Sequence, residues 1–244
     1  QMISLGERNE GYLAKVGEPL IQFYGYKTCG VWNSAEEIAA NPHFSDDAPG
    51  GIRIVDTNND GSLTPEDRVA LGTPYPDFTW GITNTFQIKD FDISFLIQGV
   101  QGITVLNGDV YYNETKKWNK KYTKNRWVSA EHPGDGKTPY QNVKTGHDLM
   151  LTDYPLQNAS YACLRNFTVG YTLPATAARK IKLSGVRFYV SGSNLLYIWG
   201  SGYKGINPES RMTSGNYSSA MISGYQRGGF PLTSTISAGF DINF

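Results

Sequence analysis

Apolar and polar residues alternate over stretches of about 10–13 residues, and this alternation constrains the fold more than any other feature. Phe78, Trp80, Ile82, Phe86 and Ile88 alternate with Thr79, Gly81, Thr83, Thr85 and Gln87, and only Asn84 breaks the apolar set. After Lys89-Asp90 the alternation resumes, with Phe91, Ile93, Phe95 and Ile97 against Asp92, Ser94, Leu96 and Gln98. The pattern predicts a hairpin with a tight polar turn. A second hairpin is predicted over 164–198. Phe167, Val169, Tyr171 and Leu173 form one arm, Pro174 ends it, and Val186, Phe188 and Val190 return after a short basic connection. A last strand runs from Leu232 to Phe244, alternating strictly except at Ser234.

Five strands of this length match the roughly 9–11 tilted residues that span a bilayer's hydrocarbon core. Strands of a soluble sandwich are nearer 5–6 residues. The connections alternate too. Those at 89–90 and 174–185 are short, while those up to 76, over 104–159 and over 199–231 are long. Short turns on one rim and long loops on the other is the layout of an outer-membrane barrel. Each strand has an apolar face and a face of mostly Thr, Ser, Gly, Asn, Gln and Asp. Periodicity does not say whether the apolar face points into a core or out to lipid. Tyr75, Phe78, Trp80, Tyr197 and Trp199 near the long-loop rim fit either an interfacial aromatic girdle or packing in a soluble core.

Five strands do not close a membrane barrel, which needs at least about eight. An open edge in lipid leaves backbone amides unsatisfied at several kcal/mol each. If the strands cross a membrane, further strands must complete the wall. Gln1-Met2-Ile3-Ser4 shows neither the basic nor the apolar part of a secretory leader, so a removed leader or a longer parent chain is expected.

Composition narrows the function. There are 22 Lys and Arg against 22 Asp and Glu, a net charge of zero that argues against a nucleic-acid binder. The hydrophobic share of 39% excludes a disordered chain. No apolar run of about 18 residues occurs, so no transmembrane helix is expected. Two distant cysteines, Cys29 and Cys163, do not make a disulfide framework and are expected as free thiols. His43, His132 and His147 lie in loop-like sequence, and no nucleophile elbow or P-loop is present, so an enzyme is not expected. Gly200-Ser201-Gly202-Tyr203-Lys204-Gly205 matches a dinucleotide fingerprint by letter, but Ile206-Asn207-Pro208 opens no helix behind it.

One motif carries metal chemistry. Asp56 to Asp67, DTNNDGSLTPED, fits a calcium loop. Asp56, Asn58 and Asp60 would supply oxygens at positions 1, 3 and 5. Gly61 permits the turn, Ser62 offers its carbonyl, and Asp67 closes the loop where a longer Glu is usual. An Asx-rich turn without metal is the alternative. Thr64 is expected to cap a short helix opened by Pro65-Glu66-Asp67. Ser34-Ala35-Glu36-Glu37 predicts a second short helix that stops before Asn41-Pro42. Ile52 to Val55 reads as a strand, and no helix precedes Asp56, which disfavours a full EF-hand. Between 104 and 159, Tyr111, Tyr112, Trp118, Tyr122 and Trp127 stand among Lys116, Lys117, Lys120, Lys121, Lys124 and Arg126. They form either a partner or ligand surface, or a basic loop with aromatics folded back on the rim.

Five segments in order resemble the SusC/RagA family of TonB-dependent outer-membrane receptors: Gly17 to Glu37, Pro49 to Gly81, Asn166 to Pro174 (NFTVGYTLP), Val186 to Trp199 (VRFYVSGSNLLYIW) with Asn207-Pro208-Glu209, and the terminal strand ending at Phe244. One departure is Cys163, where the family often has a basic residue. The resemblance implies an all-β fold: the C-terminal strands of a large antiparallel transmembrane β-barrel of about 22 strands with long extracellular loops. Residues 1–76 would be an extracellular loop region with the calcium-type loop at 56–67, and 77–244 the last five strands. Phe78, Trp80, Phe86, Phe91, Ile93, Phe95, Phe167, Val169, Phe188 and Val190 would then face lipid, and Thr79, Gln87, Asp92, Ser94, Thr168 and Arg187 the lumen.

The implied function is part of an outer-membrane, TonB-dependent importer of oligosaccharides or peptides. Its implied partners are a SusD-like surface lipoprotein, an upstream part of the same barrel with its plug, and the TonB complex, with structural Ca2+ as the expected ion. The competing reading is a secreted, calcium-stabilised β-sandwich that binds glycans.

Overall fold

The structure, a computed structural model, describes residues 11–110, 125–140, 149–200, 202–210 and 223–244. The alternating segments form one antiparallel sheet of five strands: β1 (Phe78–Ile88), β2 (Phe91–Gln101), β3 (Tyr161–Thr172), β4 (Gly185–Trp199) and β5 (Thr235–Asn243). Each strand pairs with the next, in the order β5-β4-β3-β2-β1, so the sheet is an up-and-down meander with β1 and β5 at its edges. Ile88 pairs with Phe91 across the Lys89-Asp90 turn, where Lys89 adopts a φ of 53°.

The register assigns the faces. Phe86 pairs with Ile93, Ile93 with Val169, Val169 with Val190 and Val190 with Ala238. This apolar row and its neighbours share one face, and Thr85, Ser94, Thr168, Ser191 and Ser237 share the other. Among the described residues the apolar face is left uncovered. Phe86, Phe188 and Phe240 are 48%, 52% and 65% exposed. A water-soluble fold would bury these side chains, at about 1.5–3 kcal/mol each, so the face is built for an apolar medium. Trp80 lies flat over Gly99 on this face, where a Cβ at Gly99 would come within 2.3 Å of the indole.

Near the loop end the meander carries a bulge. Leu164 pairs with Leu196 and Asn166 with Ser193, so Arg165 opposes Asn194-Leu195, and Asn194 takes a φ of 57°. Against β2 the same Arg165 is the extra residue, because Leu164 pairs with Ile97 and Asn166 with Leu96. Beyond the bulge, Tyr197 and Trp199 fall on the polar face. Tyr197 pairs with Cys163, and Trp199 packs edge-on against Tyr203. They therefore belong to the loop-facing side and not to an aromatic girdle on the apolar face.

The connections hold more structure than the alternation predicts. The β3–β4 link contains a helix, Ala175–Lys180. Three alanines favour it, and Arg179 and Lys180 suit its C-terminal dipole. It ends in a Schellman turn: Lys182, at φ 60°, donates to the Arg179 carbonyl, and Leu183 donates to that of Ala178. The stretches read as long loops contain the strands Thr104–Asn107, Leu156–Asn158 and Tyr225–Gln226, joined in one small sheet. Residues 20–32 supply Gln22–Gly25 and Thr28–Val31, and Thr28–Val31 pairs with Ile52–Ile54.

Three apolar clusters hold this loop region. Tyr12, Ile21 and Phe23 pack with Leu106 and Tyr225, and Tyr26, Ile52 and Ile54 pack with Leu149. The third unites Val100, Tyr161 and Cys163 of the sheet with Ile103, Val105, Ala159 and Tyr203. The polar face thus turns apolar where the loops settle on it, and Cys163, a small apolar side chain at 2% exposure, fits a site where a charge would be costly. Both thiols, Cys29 and Cys163, are free.

Candidate functional site

Local sequence signals shape the loop 56–67 largely as expected. Thr64 caps the 3-10 turn Pro65–Asp67 with a reciprocal capping box. Asp56 accepts hydrogen bonds from the amides of Asn59 at 2.7 Å and Gly61 at 2.8 Å, and Asp60 from that of Ser62 at 2.8 Å. Asn58 joins Asp60 through its side-chain amide at 2.9 Å. Asp67 is fully buried, and its carboxylate accepts from the amides of Thr57 and Thr64, each at 2.8 Å. Burial works to raise its pKa, but the amides of Thr64, Thr57 and Asn58 and the Asp56 side chain outweigh it and hold the carboxyl below its ordinary range. Asp67 is therefore the hub on which the loop closes. Among the described residues, no three His, Cys, Asp or Glu side chains gather where they could hold a metal ion. The nearby Ser34 cap and helix Ala35–Ala39 also form, with Glu37 bridging to Arg53 at 2.8 Å.

The polar face of the sheet carries two charged assemblies. Towards the short-turn end, Arg187 of β4 forms a fork with Asp92 of β2 at 2.9 and 2.7 Å, and reaches Asp241 of β5 at 3.2 Å. At the bulge, Arg165 donates to Asn194 at 2.7 Å and to the Tyr197 hydroxyl at 2.8 Å, and pairs with Glu209. Turning the Gln98 amide oxygen to Arg165 adds acceptor contacts at 3.2 and 2.7 Å. The Tyr197 hydroxyl also donates to Glu209 at 3.1 Å. Glu209 belongs to the loop segment that follows Tyr203, so this cluster ties a loop to the wall. The sequence signal for it was the Leu195-Leu196 doublet, which breaks period two.

Between the loops lies an open cleft of about 860 Å3. Thr28, Cys29 and Gly30 form one side, 135–138 another, and Asp153, Tyr154 and 156–158 with Leu71, Thr104 and Lys204 the rest. Its polar groups are varied. Asp153 accepts from the Thr28 amide at 3.0 Å and hydroxyl at 2.6 Å. Asp135 accepts from the amides of Lys137 and Thr138 at 2.9 and 2.7 Å, and from the Thr138 hydroxyl at 2.9 Å. Burial works to raise the Asp135 pKa, but these hydrogen bonds and the Lys204 charge lower it overall. Burial pushes the Cys29 thiol up, against the opposing pull of Arg53, which suits a neutral thiol rather than a nucleophile.

Of the aromatic and basic residues between 111 and 127, Trp127 and Arg126 are buried. Trp127 packs on Tyr140 and donates to Asn33 at 3.0 Å, so here the aromatic is folded back. Tyr111, Tyr112, Trp118, Tyr122 and their lysines lie outside the described residues, as does His147.

No family model matches the chain. Among curated proteins, TonB-dependent receptor P26 of Formosa agariphila is 31% identical over 239 residues, covering 94% of this chain and 23% of the relative. TonB-dependent receptor P3 of the same organism is 30% identical over 95% of this chain and 23% of the relative. TonB-dependent receptor SusC of Bacteroides thetaiotaomicron is 26% identical over 85% of this chain and 19% of the relative. The chain thus spans about a quarter of the first two relatives' length. Among solved structures, the RagAB peptide transporter matches with a TM-score of 0.72 at 19% identity, over 98% of this chain and 24% of that one. The RagAB peptide importer in its closed-closed state gives 0.67 at 20%, over 97% and 24%. The five-stranded meander is a segment of a receptor barrel wall, and the chain belongs to the SusC/RagA type of TonB-dependent receptor.

Proposed function

We propose that the protein containing this chain imports an oligosaccharide or peptide across the outer membrane, powered through TonB and assisted by a SusD-like surface lipoprotein. The observation that carries it is the sheet's two faces. One is apolar and uncovered, as lipid contact requires, and the other is polar with charged ladders, as a wet lumen requires. The names of the relatives support the same reading. A secreted sandwich would lay a second sheet over Phe86, Phe188 and Phe240, and among the described residues none does. The chain's own residues would form wall, lumen lining and outer loops. The plug and the segment that meets TonB are assigned to the rest of the receptor.

The test is uptake by cells of the source organism with and without the full-length gene, offered labelled oligopeptides and oligosaccharides, with the proton gradient intact or collapsed. Gene-dependent, gradient-dependent uptake of either class is expected. Expression of residues 1–244 alone as a soluble, cooperatively melting monomer in buffer would overturn the reading.

Calcium in the loop 56–67 is part of this proposal, with Asp56, Asn58, Asp60, the Ser62 carbonyl and Asp67 as donors. Its support is the spacing of oxygen-bearing residues and the turn at Gly61, at φ 86°. Asp67 would have to exchange amide hydrogen bonds for the ion. The ion's part would be to stiffen the loop.

A further inference from the structure

Going beyond import, we propose that the short-turn rim of the wall is an interface for anionic phospholipid, at which Lys89, Arg179, Lys180 and Lys182 meet the headgroups while the helix Ala175–Lys180 lies at the lower end of the apolar face. The two short turns, 89–90 and 174–185, carry these four cations against one carboxylate, Asp90. The chain as a whole is neutral, so the excess is local. The turns are neighbours in the fold, because the Thr172 amide at the end of β3 donates to the Asp90 carbonyl at 2.8 Å. Asp92 and Asp241 lie near the same rim but are held by Arg187 on the polar face. All four cations are exposed, and among the described residues none of them is in an ion pair.

Local structure does not account for these charges. The helix C-terminus favours Arg179 and Lys180, but Lys182 lies past the helix and Lys89 on the other turn. Lys89 and Lys182 adopt φ values of 53° and 60°, a left-handed conformation that suits glycine or asparagine. The other non-glycine residues at positive φ among the described residues are indeed asparagines, Asn59 and Asn194. Each turn thus carries a lysine where the backbone favours another residue type, and what lysine adds there is a charge.

The helix supplies the apolar half of the interface. Val186 shares the parity of Phe188 and Val190 and so lies on the apolar face, yet it is 6% exposed where they are more than half exposed. The helix contacts β4, and its Ala178 is fully buried, so the helix covers Val186 from the apolar side. Ile181, 58% exposed between Lys180 and Lys182, then stands with Ile88 and Phe91 at the lower edge of that face. An apolar side chain flanked by cations suits a membrane interface: the side chain enters the acyl boundary and the charged heads stay with the headgroups. Each Lys or Arg near an anionic leaflet adds to the attraction. The short turns of an outer-membrane barrel face the periplasm, so the lipid is that of the periplasmic leaflet. Lipid already meets the adjoining wall, and the rim continues that contact.

The experiment uses the full-length receptor in neutral detergent with added dioleoylphosphatidylglycerol or dioleoylphosphatidylcholine, and counts retained lipid by native mass spectrometry. The anionic lipid should be retained roughly tenfold more than the zwitterionic one, and the preference should shrink in high salt. A combined variant, Lys89→Asn, Arg179→Gln, Lys180→Gln and Lys182→Asn, should lose the preference; asparagine keeps both left-handed turns available. Exchanging the cations, with Arg179→Lys and Lys180→Arg, should preserve it. Heat-modifiable gel mobility confirms that each variant is folded. In nanodiscs, a fluorophore on Ile181→Cys, in a receptor otherwise free of cysteine, should be quenched by a headgroup spin label. Equal retention of the two lipids, an unchanged preference in the combined variant, displacement of the lipid by soluble glycerol phosphate, or a probe at 181 reached only by aqueous iodide would overturn the inference. Neither readout involves cargo, so the result is independent of the import reading.

Discussion

Arg187 and Asp92 meet across a strand that separates them. Arg187 lies on β4 and Asp92 on β2, and the fork between them, at 2.9 and 2.7 Å, passes over Gly170 of β3. A Cβ at position 170 would stand 2.3 Å from the Asp92 carboxylate and 2.5 Å from the guanidinium. The glycine is what lets the pair close.

Gly170→Val should therefore break the fork without touching either charged residue. Bidentate charge-assisted bonds are among the stronger ones in proteins, and losing them should cost about 1.5–3 kcal/mol less the solvent screening of a pair that is partly exposed. The expected result is a lowered transition temperature by heat-modifiable gel mobility. Adding Asp92→Ala to Gly170→Val should lower it little further, because the interaction is already gone. Fully additive effects would show that the fork contributes nothing.

The Arg165 cluster makes a separate prediction about the loop it holds. Glu209→Gln removes the charge from the acceptor of Arg165 and Tyr197. Hydrogen exchange at the amides of Tyr203 and Ser210, which close local turns onto Gly200 and Asn207, should quicken by roughly tenfold, while exchange in β1 and β2 stays unchanged. Unchanged protection of 202–210 would mean that the apolar packing of Tyr203 alone seats the loop.

Both assemblies show what sequence does and does not reveal. The five strands, the Lys89-Asp90 turn, the Thr64 cap and the Ser34 cap were legible because each rests on neighbours in the chain: period two, a turn, an i to i+3 hydrogen bond. Arg187 and Asp92 were both assigned to the lumen, but not to each other, since they lie 95 residues apart. The small sheet of Thr104–Asn107, Leu156–Asn158 and Tyr225–Gln226 was missed for the same reason. Its strands are two to four residues long, too short for periodicity, and are stabilised by burial of Leu106 and Tyr225 from distant segments. Tyr197 and Trp199 fitted either a girdle or core packing from sequence; the bulge keeps the parity of β4 and shifts that of β3, so they stay on the polar face opposite Cys163 and Tyr161.

Asp67 links the calcium-type loop to pH. Its folded carboxyl is held below the ordinary value, so the stability it confers is present above the unfolded pKa of about 3.9 and is lost as pH falls through the folded value. Asp67→Ala leaves the Thr57 and Thr64 amides without their acceptor and should cost about 1–3 kcal/mol. Wild type should lose stability below about pH 4 more steeply than the variant. Parallel pH profiles by thermal melting would remove Asp67 from this role.

Metal content tests the same loop differently. Full-length receptor passed through a calcium-containing buffer and desalted should carry calcium by elemental analysis, and Asp60→Ala should carry one equivalent less with the barrel still folded. Chelation of wild type should speed proteolysis within 56–67. Equal calcium in both proteins would leave the loop as a self-sufficient Asx turn, a state its own hydrogen bonds already describe.

The assignment of faces makes the last prediction. Phe95 pairs with Phe167 and stacks near Phe86, with ring centres 6.1 Å apart, on the apolar face. Ser94, one residue earlier, pairs with Thr168 on the polar face. If the apolar face meets lipid, Phe95→Arg places a guanidinium in hydrocarbon and should cost about 2–4 kcal/mol near the midplane, whereas Ser94→Arg points into a hydrated lumen and should cost far less. If the apolar face met a protein core, Phe95→Arg would be costly as well, so stability alone does not separate the cases. A probe does. With Cys29 and Cys163 replaced, a fluorophore on a single cysteine at position 95 should be quenched by spin-labelled lipid and spared by aqueous iodide. The same fluorophore at position 94 should show the opposite preference. Iodide quenching at 95 together with lipid quenching at 94 would invert the wall.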